Sequence, residues 1–401
     1  MLHLKHFVSA LDKCIEDFKR LNDAWQKEMD RGVGLLNELA GMSAQQVRMR
    51  CAEFRGAFPS DELDRSRSLA CRFSQDQRLW RSHEGARRWA ADVLSGRTTY
   101  AADGGQALLR ELIPPVAVVQ IASFENPHCA EEDYRKEVKL ELITPTAFCE
   151  NEAETPEAIV NFRRFSGEIE MIEKFIEDKR GWQTRGERAP VAFFDGSLFI
   201  SYAQPRTRRQ DQYIEKVLHL VRKSDEARVP IVGYIDQSQA RDLVKLLDFL
   251  AEDNRQSTLF DGQLLRAQDG SAALSRWGDR TIFFYCMREG IEDSRDAFLD
   301  ESGDPRIGFV YLQTTRDAPP ARLDIPSWVY REGLLEEVVD VVRAECVVGN
   351  GYPYAIETAD AAAVITGRDL EQAWRLVQEF ASRAGLQLSF SRKAASKIRR
   401  H

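Results

Sequence analysis

Asp103 and Asp195 each close an apolar, β-prone run and are each followed by glycine: Thr98-Thr99-Tyr100-Ala101-Ala102-Asp103-Gly104-Gly105 and Val191-Ala192-Phe193-Phe194-Asp195-Gly196-Ser197. A carboxylate leaving the end of a buried strand is held rigidly, and glycine lets backbone or ligand come close. Two such carboxylates on neighbouring strands supply the hard oxygen ligands that a divalent cation needs at a phosphodiester. Either one alone reads better as a turn, because Asp-Gly is also a hairpin signal. The repeated lead-in is what singles out the pair.

Other acids are placed to join them. Between residues 168 and 176, Ile169, Ile172 and Ile176 mark the buried stripe of a helix. Glu168 falls beside that stripe, one turn before Ile172, while Glu170 points away. At the edge of a packed face Glu168 can reach a site at a sheet end; on a solvated face it cannot, and the spacing leaves both open. Arg163 and Arg164, one turn earlier, suit either a phosphate backbone or a solvated helix surface. Gly349-Asn350-Gly351-Tyr352-Pro353-Tyr354 leads into a helical run at 355–365. A loop and the first helical turns can present Tyr352 and Asp360 to one place, although glycines before Tyr-Pro are also simply a turn. The tail Arg392-Lys393-Ala394-Ala395-Ser396-Lys397-Ile398-Arg399-Arg400 is a basic patch or a frayed helix end.

Several chemistries lack their residues. Six scattered histidines form no HExxH, and seven cysteines form no CxxC, which speaks against a zinc hydrolase. Walker A, GxGxxG and GxSxG loops are absent, so ATP hydrolysis and serine-hydrolase chemistry have no support. The remaining donors are all oxygen, which suits Mg2+ or Mn2+.

At 401 residues the chain holds two domains, or one large domain with a helical appendage. Its 43% hydrophobic and 30% charged content is that of a globular protein. No apolar run is long enough for a bilayer, and no signal-peptide pattern is present, so no membrane association is expected. An odd number of scattered cysteines points to a reducing cytoplasm. The net charge of −8 speaks against a surface coated for non-specific nucleic-acid binding, but permits a basic channel.

Residues 1–95 read as a helical extension. Phe7, Leu11, Cys14, Phe18, Leu21 and Trp25 alternate spacings of four and three, an a/d seam suited to a bundle or coiled-coil arm. Residues 96–401 read as a second domain. Strands are expected at 98–102, 108–112, 116–122 and 138–143, followed by a helix at 155–177 with a start signal at Thr155-Pro156-Glu157. Strands at 191–194, 229–235, 281–286, 307–313 and 322–325 alternate with helices at 211–223, 237–249, 332–347 and 368–384. A meander followed by alternating strands and helices gives an α/β layer fold.

In order and content these segments resemble the NurA nuclease family. The resemblance rests on Tyr100-Ala101-Ala102-Asp103-Gly104-Gly105-Gln106 with Pro114-Pro115, on Phe193-Phe194-Asp195-Gly196-Ser197-Leu198, and on Pro230-Ile231-Val232-Gly233-Tyr234-Ile235-Asp236. Phe283-Phe284-Tyr285, Arg322-Leu323-Asp324-Ile325-Pro326-Ser327-Trp328, and Tyr352-Pro353-Tyr354 with Ala359-Asp360 continue it, so that it covers roughly 97–370. It implies an RNase H-like core, with a mixed central sheet flanked by helices. It also implies Mn2+- or Mg2+-dependent hydrolysis of DNA in end processing for repair or defence, a homodimer, and a HerA-type hexameric ATPase as partner. The family's metal ligands carry over to Asp103 and Asp195, with Glu168 as third acid. Its aromatic position falls on Tyr352, placed to meet phosphate or a terminal base beside Arg163 and Arg164. Asp360 stands where the family often has histidine, and Asp-Gly-Gly stands where Asp-Gly-Ser is usual. A second reading is a catalytically weak or inactive DNA-binding or adaptor subunit of such a motor, favoured by the acidic charge, Asp360 and the helical arm. A third is an RNA-directed enzyme.

Overall fold

The computed structural model describes residues 3–73, 82–109, 112, 113, 115–150, 154–199, 207–253, 255–266, 274–287, 298–315, 318–386, 389 and 390. Pro114 and the basic tail at 392–400 lie outside the described residues. Contacts divide the chain into two compact units, Met1–Gln75 with Ile235–Ser327, and Asp76–Tyr234 with Trp328–His401.

In the first unit the segment carrying the expected seam is helical, as Leu4–Lys13 and Ile15–Ala40. The N-terminal helix buries nothing, and Leu4, Phe7, Leu11, Phe18 and Leu21 are all exposed. Further along, Ile15–Ala40 buries Met29, Leu36 and Leu39 and packs on the helices Asp242–Ala251 and Asp261–Leu265. The stretch expected to be wholly helical contains two short strands, β1 (Ala57–Pro59) and β2 (Ala70–Cys71). Runs of two or three residues carry no readable alternation, and pairing partners more than two hundred residues away decide them. These partners are β9 (Arg280–Thr281) and β10 (Phe284–Cys286), which join the antiparallel pair β11 (Ile307–Leu312) and β12 (Ala321–Pro326).

The motif Arg322-Leu323-Asp324 is buried here. Arg322 bonds Asp324 at 2.7 Å and Asp242 at 2.6 Å, with its guanidinium 3.9 Å from the centre of the Phe309 ring. Asp261 accepts the Leu243 and Val244 amides and the Tyr311 hydroxyl, so one buried acid caps a helix and anchors a strand.

The second unit is built on a mixed sheet. Strands β3 (Thr99–Leu109), β5 (Val116–Asn126) and β6 (Arg135–Ile143) form an antiparallel meander. Beside β3 lie β7 (Val191–Asp195) and β8 (Ile231–Ile235), both parallel. The short β4 (Leu112–Ile113) pairs with β13 (Ser389–Phe390). Burial on both faces explains the unbroken apolar run in β7. One face carries the helix Pro156–Lys179, on which Arg208–Ala227 packs; the other carries Tyr354–Ala363. Leu335–Val348 packs between Tyr354–Ala363 and His83–Leu94. The Thr155 hydroxyl caps Pro156–Lys179 at the expected start.

The meander differs from expectation in one respect. Segments 98–102 and 108–112 were expected as separate strands, with Asp103 at the end of the first. They form one eleven-residue strand, and Asp103 lies within it. The glycines stay extended because β5 pairs along the whole length, Gly104 with Ile121 and Gly105 with Gln120.

Candidate functional site

The register of the parallel pair runs from Thr99 with Val191 to Ala102 with Phe194. Asp103 and Asp195 are the next residues on these neighbouring strands. Ninety-two positions of chain therefore separate two carboxylates that the sheet sets side by side.

Glycines let helices come down on this part of β3. A β-carbon at Gly104 would lie 2.5 Å from Arg164 Cγ and 2.7 Å from Glu168 Oε1, and one at Gly167 would lie 2.7 Å from Ile121 Cγ1. The close approach of Pro156–Lys179 buries Glu168, which is only 4% exposed. Arg164 Nη1 donates to Glu168 Oε1 at 2.7 Å and to the Gly104 carbonyl at 3.3 Å, and lies 3.9 Å from Asp103. Arg163 does not follow it; its guanidinium lies 3.5 Å from Glu141 on β6.

On the opposite face, Tyr354–Ala363 is pinned at both ends. Buried Glu345 accepts the Ala355 amide at 2.9 Å, and the Gln120 amide donates to the Ala362 and Ala363 carbonyls. Between these anchors Asp360 hydrogen-bonds Asp103. Just before the helix, Tyr352 donates to Asp195 Oδ1 at 3.0 Å, with its ring edge-on to Tyr234 at 5.1 Å. Asp195, Tyr352, Ile356, Glu357 and Asp360 line a pocket of about 270 Å3. Sequence reasoning missed Glu357; its signal is the spacing of three from Asp360, which puts both on one helical face.

The electrostatics follow from this crowding. Burial pushes the Glu168 carboxyl up to about 8, with Asp103 and Asp195 adding repulsion and Arg164 partly opposing them. Burial likewise lifts Asp103 to about 6, helped by its bond to Asp360 and the nearby Asp195 charge. A hydrogen bond between two carboxyl groups requires a proton on one of them.

The donor set is all oxygen, which is the chemistry a hard divalent cation fits. Among the described residues Arg164 is bonded within it, to Glu168. As the side chains stand, no group of three or more His, Cys, Asp or Glu among the described residues is set out to hold a metal ion. Glu168 faces Arg164, Asp103 faces Asp360, and Asp195 faces Tyr352. Each acid is engaged with a neighbour that a cation would have to replace or share.

Residues 97–365 match the NurA domain. No curated protein matches the chain. Solved structures similar to it include the NurA nuclease of Sulfolobus solfataricus, 13% identical, covering 72% of this chain and 85% of that one with a TM-score of 0.45. Another is a NurA bound to dAMP and manganese, 10% identical, covering 68% and 85% with a TM-score of 0.34. A third is the endonuclease V of Bacillus subtilis, 10% identical, covering 78% and 95% with a TM-score of 0.31. Among the described residues no helix is long and apolar enough to cross a membrane.

Proposed function

The chain belongs to the NurA family, and on that footing we propose that it is a Mn2+- or Mg2+-dependent DNA nuclease. The observation that carries this reading is the register that sets Asp103 beside Asp195 on parallel strands, with Glu168 and Asp360 closing in from opposite faces. Asp103, Glu168 and Asp195 would hold the ion. Bound there, it would lower the pKa of a water and neutralise charge at the scissile phosphate.

The chain's own groups do the rest. Near neutral pH the Glu168 carboxyl retains a proton, and ligation requires that it be given up. Tyr352 orients Asp195 through its hydroxyl, and its ring stands at the pocket to meet phosphate or a terminal base. Arg164 is placed to move from Glu168 to a phosphate oxygen. Arg163 has Glu141 as a competitor for the same role. Asp360, hydrogen-bonded to Asp103, helps keep that carboxyl raised.

The reading extends to the assembly. The meander followed by two parallel strands supports an RNase H-like core. The exposed apolar seam of the first two helices supports a coiled-coil arm that pairs with a second copy. A HerA-type hexameric ATPase supplies the ATP-driven movement for which the sequence has no Walker A loop. The odd number of scattered cysteines in the sequence supports a place in the reducing cytoplasm.

The test is degradation of linear DNA by the purified protein with Mn2+. Asp103→Ala and Asp195→Ala should each abolish it with the circular-dichroism spectrum unchanged. Cleavage that persists in both variants refutes the site. The adaptor reading has one observation in its favour, the acids' engagement with protein partners rather than a ready cage. It requires absent or millimolar Mn2+ binding by calorimetry and no cleavage even with the motor present.

A further inference from the structure

A groove of about 940 Å3 opens in the first unit, between the residues that follow the helix Ala44–Arg50 and those of Asp242–Ala251 and the turn after it. Its walls carry Arg50, Arg55, Arg241, Lys245 and Arg255 against Glu53, Asp248 and Glu252. Two of the three acids are already engaged. Asp248 accepts from Arg31 at 2.7 Å, and Glu252 accepts from Arg50 at 2.9 Å. Among the described residues the side chains of Arg55 and Lys245 have no hydrogen-bond or ion-pair partner. The Arg241 Nε is shielded from solvent without an acceptor.

The groove also has an aromatic wall. Phe249 is 40% exposed, and its ring lies 4.9 Å from that of Phe54. Phe54 and Arg55 are shared with a smaller hollow of about 200 Å3, where the Arg48 guanidinium sits 5.3 Å from the centre of the Phe58 ring. The chain as a whole is acidic, at −8, so this surplus of uncommitted cations is local.

Cations spaced along a groove follow a phosphate backbone, and an exposed ring on its wall stacks on bases that are unpaired. We propose that this groove binds single-stranded nucleic acid, with the backbone along Arg55, Arg241, Lys245 and Arg255 and a base on Phe249. The assignment does not depend on the carboxylate site, which lies in the other unit.

Fluorescence anisotropy of a labelled oligodeoxythymidylate, with chelator present so that no cleavage intervenes, tests it. The double variant Arg55→Glu/Lys245→Glu should bind about tenfold or more weakly, and the slope of log affinity against log salt should fall by about 1.4, two contacts at about 0.7 each. Phe249→Ala should weaken binding about tenfold with the slope unchanged, as loss of a stacked base predicts. If charge reversal lowers the melting temperature, Arg55→Gln/Lys245→Gln replaces it, with the same direction expected. Affinities within about twofold of the unaltered chain overturn the proposal. So does an equal loss on a blunt duplex, whose bases cannot reach Phe249. Because no metal is present, failure here leaves the nuclease reading standing, and the alanine variants at Asp103 and Asp195 test that reading alone.

Discussion

Tyr352 donates its hydroxyl to Asp195 Oδ1 at 3.0 Å across 157 positions of sequence. The loop before Tyr354–Ala363 thereby fixes the direction of a carboxylate at the end of β7. Tyr352→Phe keeps the ring on Tyr234 and removes only the donor. Loss of such an orienting partner costs about 10- to 100-fold in metal affinity or activity. We expect Mn2+ affinity by calorimetry, or cleavage at fixed Mn2+, to fall in that range while the melting temperature barely moves. Parental values in both would make the hydroxyl a bystander.

Glu168 should make the metal-free protein less stable as pH rises. Its carboxyl is pushed from an ordinary 4.5 up to about 8, so between those values the folded chain binds more protons than the unfolded one. Stability from this group is fully present below about 4.5 and is lost as pH rises towards 8. Asp103, lifted from 3.8 to about 6, acts in the same direction over a lower window. Glu168→Gln removes the ionisation while keeping the shape. Its melting temperature should exceed the parent's by several degrees at pH 8 and match it near pH 5, while cleavage is lost. A parent whose stability rises between pH 5 and 8, with the glutamine variant rising in parallel, contradicts the burial argument.

Gly105 answers to a backbone rather than a ligand. A β-carbon there would lie 2.0 Å from the Ala363 carbonyl oxygen, an atom already held by Gln120. Gly105→Ser should therefore harm this protein. Overpacking of this kind costs about 1–3 kcal/mol. Because Asp360 lies one turn before Ala363, displacing the helix end also disturbs the bond from Asp360 to Asp103. Lower melting temperature together with lower cleavage is expected; a serine variant as stable as the parent removes the constraint.

Local pattern made much of the second unit legible. Thr155-Pro156-Glu157 announces the start of Pro156–Lys179 through the cap it forms, and the apolar run of β7 announces a strand buried on both faces. The helices near 332–347 and 368–384 are found at Leu335–Val348 and Gly367–Arg383, because their periodicity is strong and their ends are punctuated by glycine. The short strands β1 and β2 were not legible, since distant pairing rather than alternation makes them strands. The continuity of β3 through Gly104 and Gly105 was hidden for a related reason. A glycine pair reads locally as a turn, and only the partner strand keeps it extended.

Residue types and their order mark which groups are chemically able to act: oxygen donors without a histidine or cysteine cluster, repeated at the ends of apolar runs. Whether Glu168 faces solvent or the sheet was undecided by spacing, because a helical position beside the apolar stripe is compatible with either. Tertiary structure decided it, through two glycines that let the helix settle close enough on β3 and β5 to bury the carboxyl. The partners Arg164 for Glu168, Asp360 for Asp103 and Tyr352 for Asp195 were decided there as well. Side-chain pairing depends on distances of a few ångströms between elements far apart in the chain, and only the packed sheet and its two helical layers set those distances.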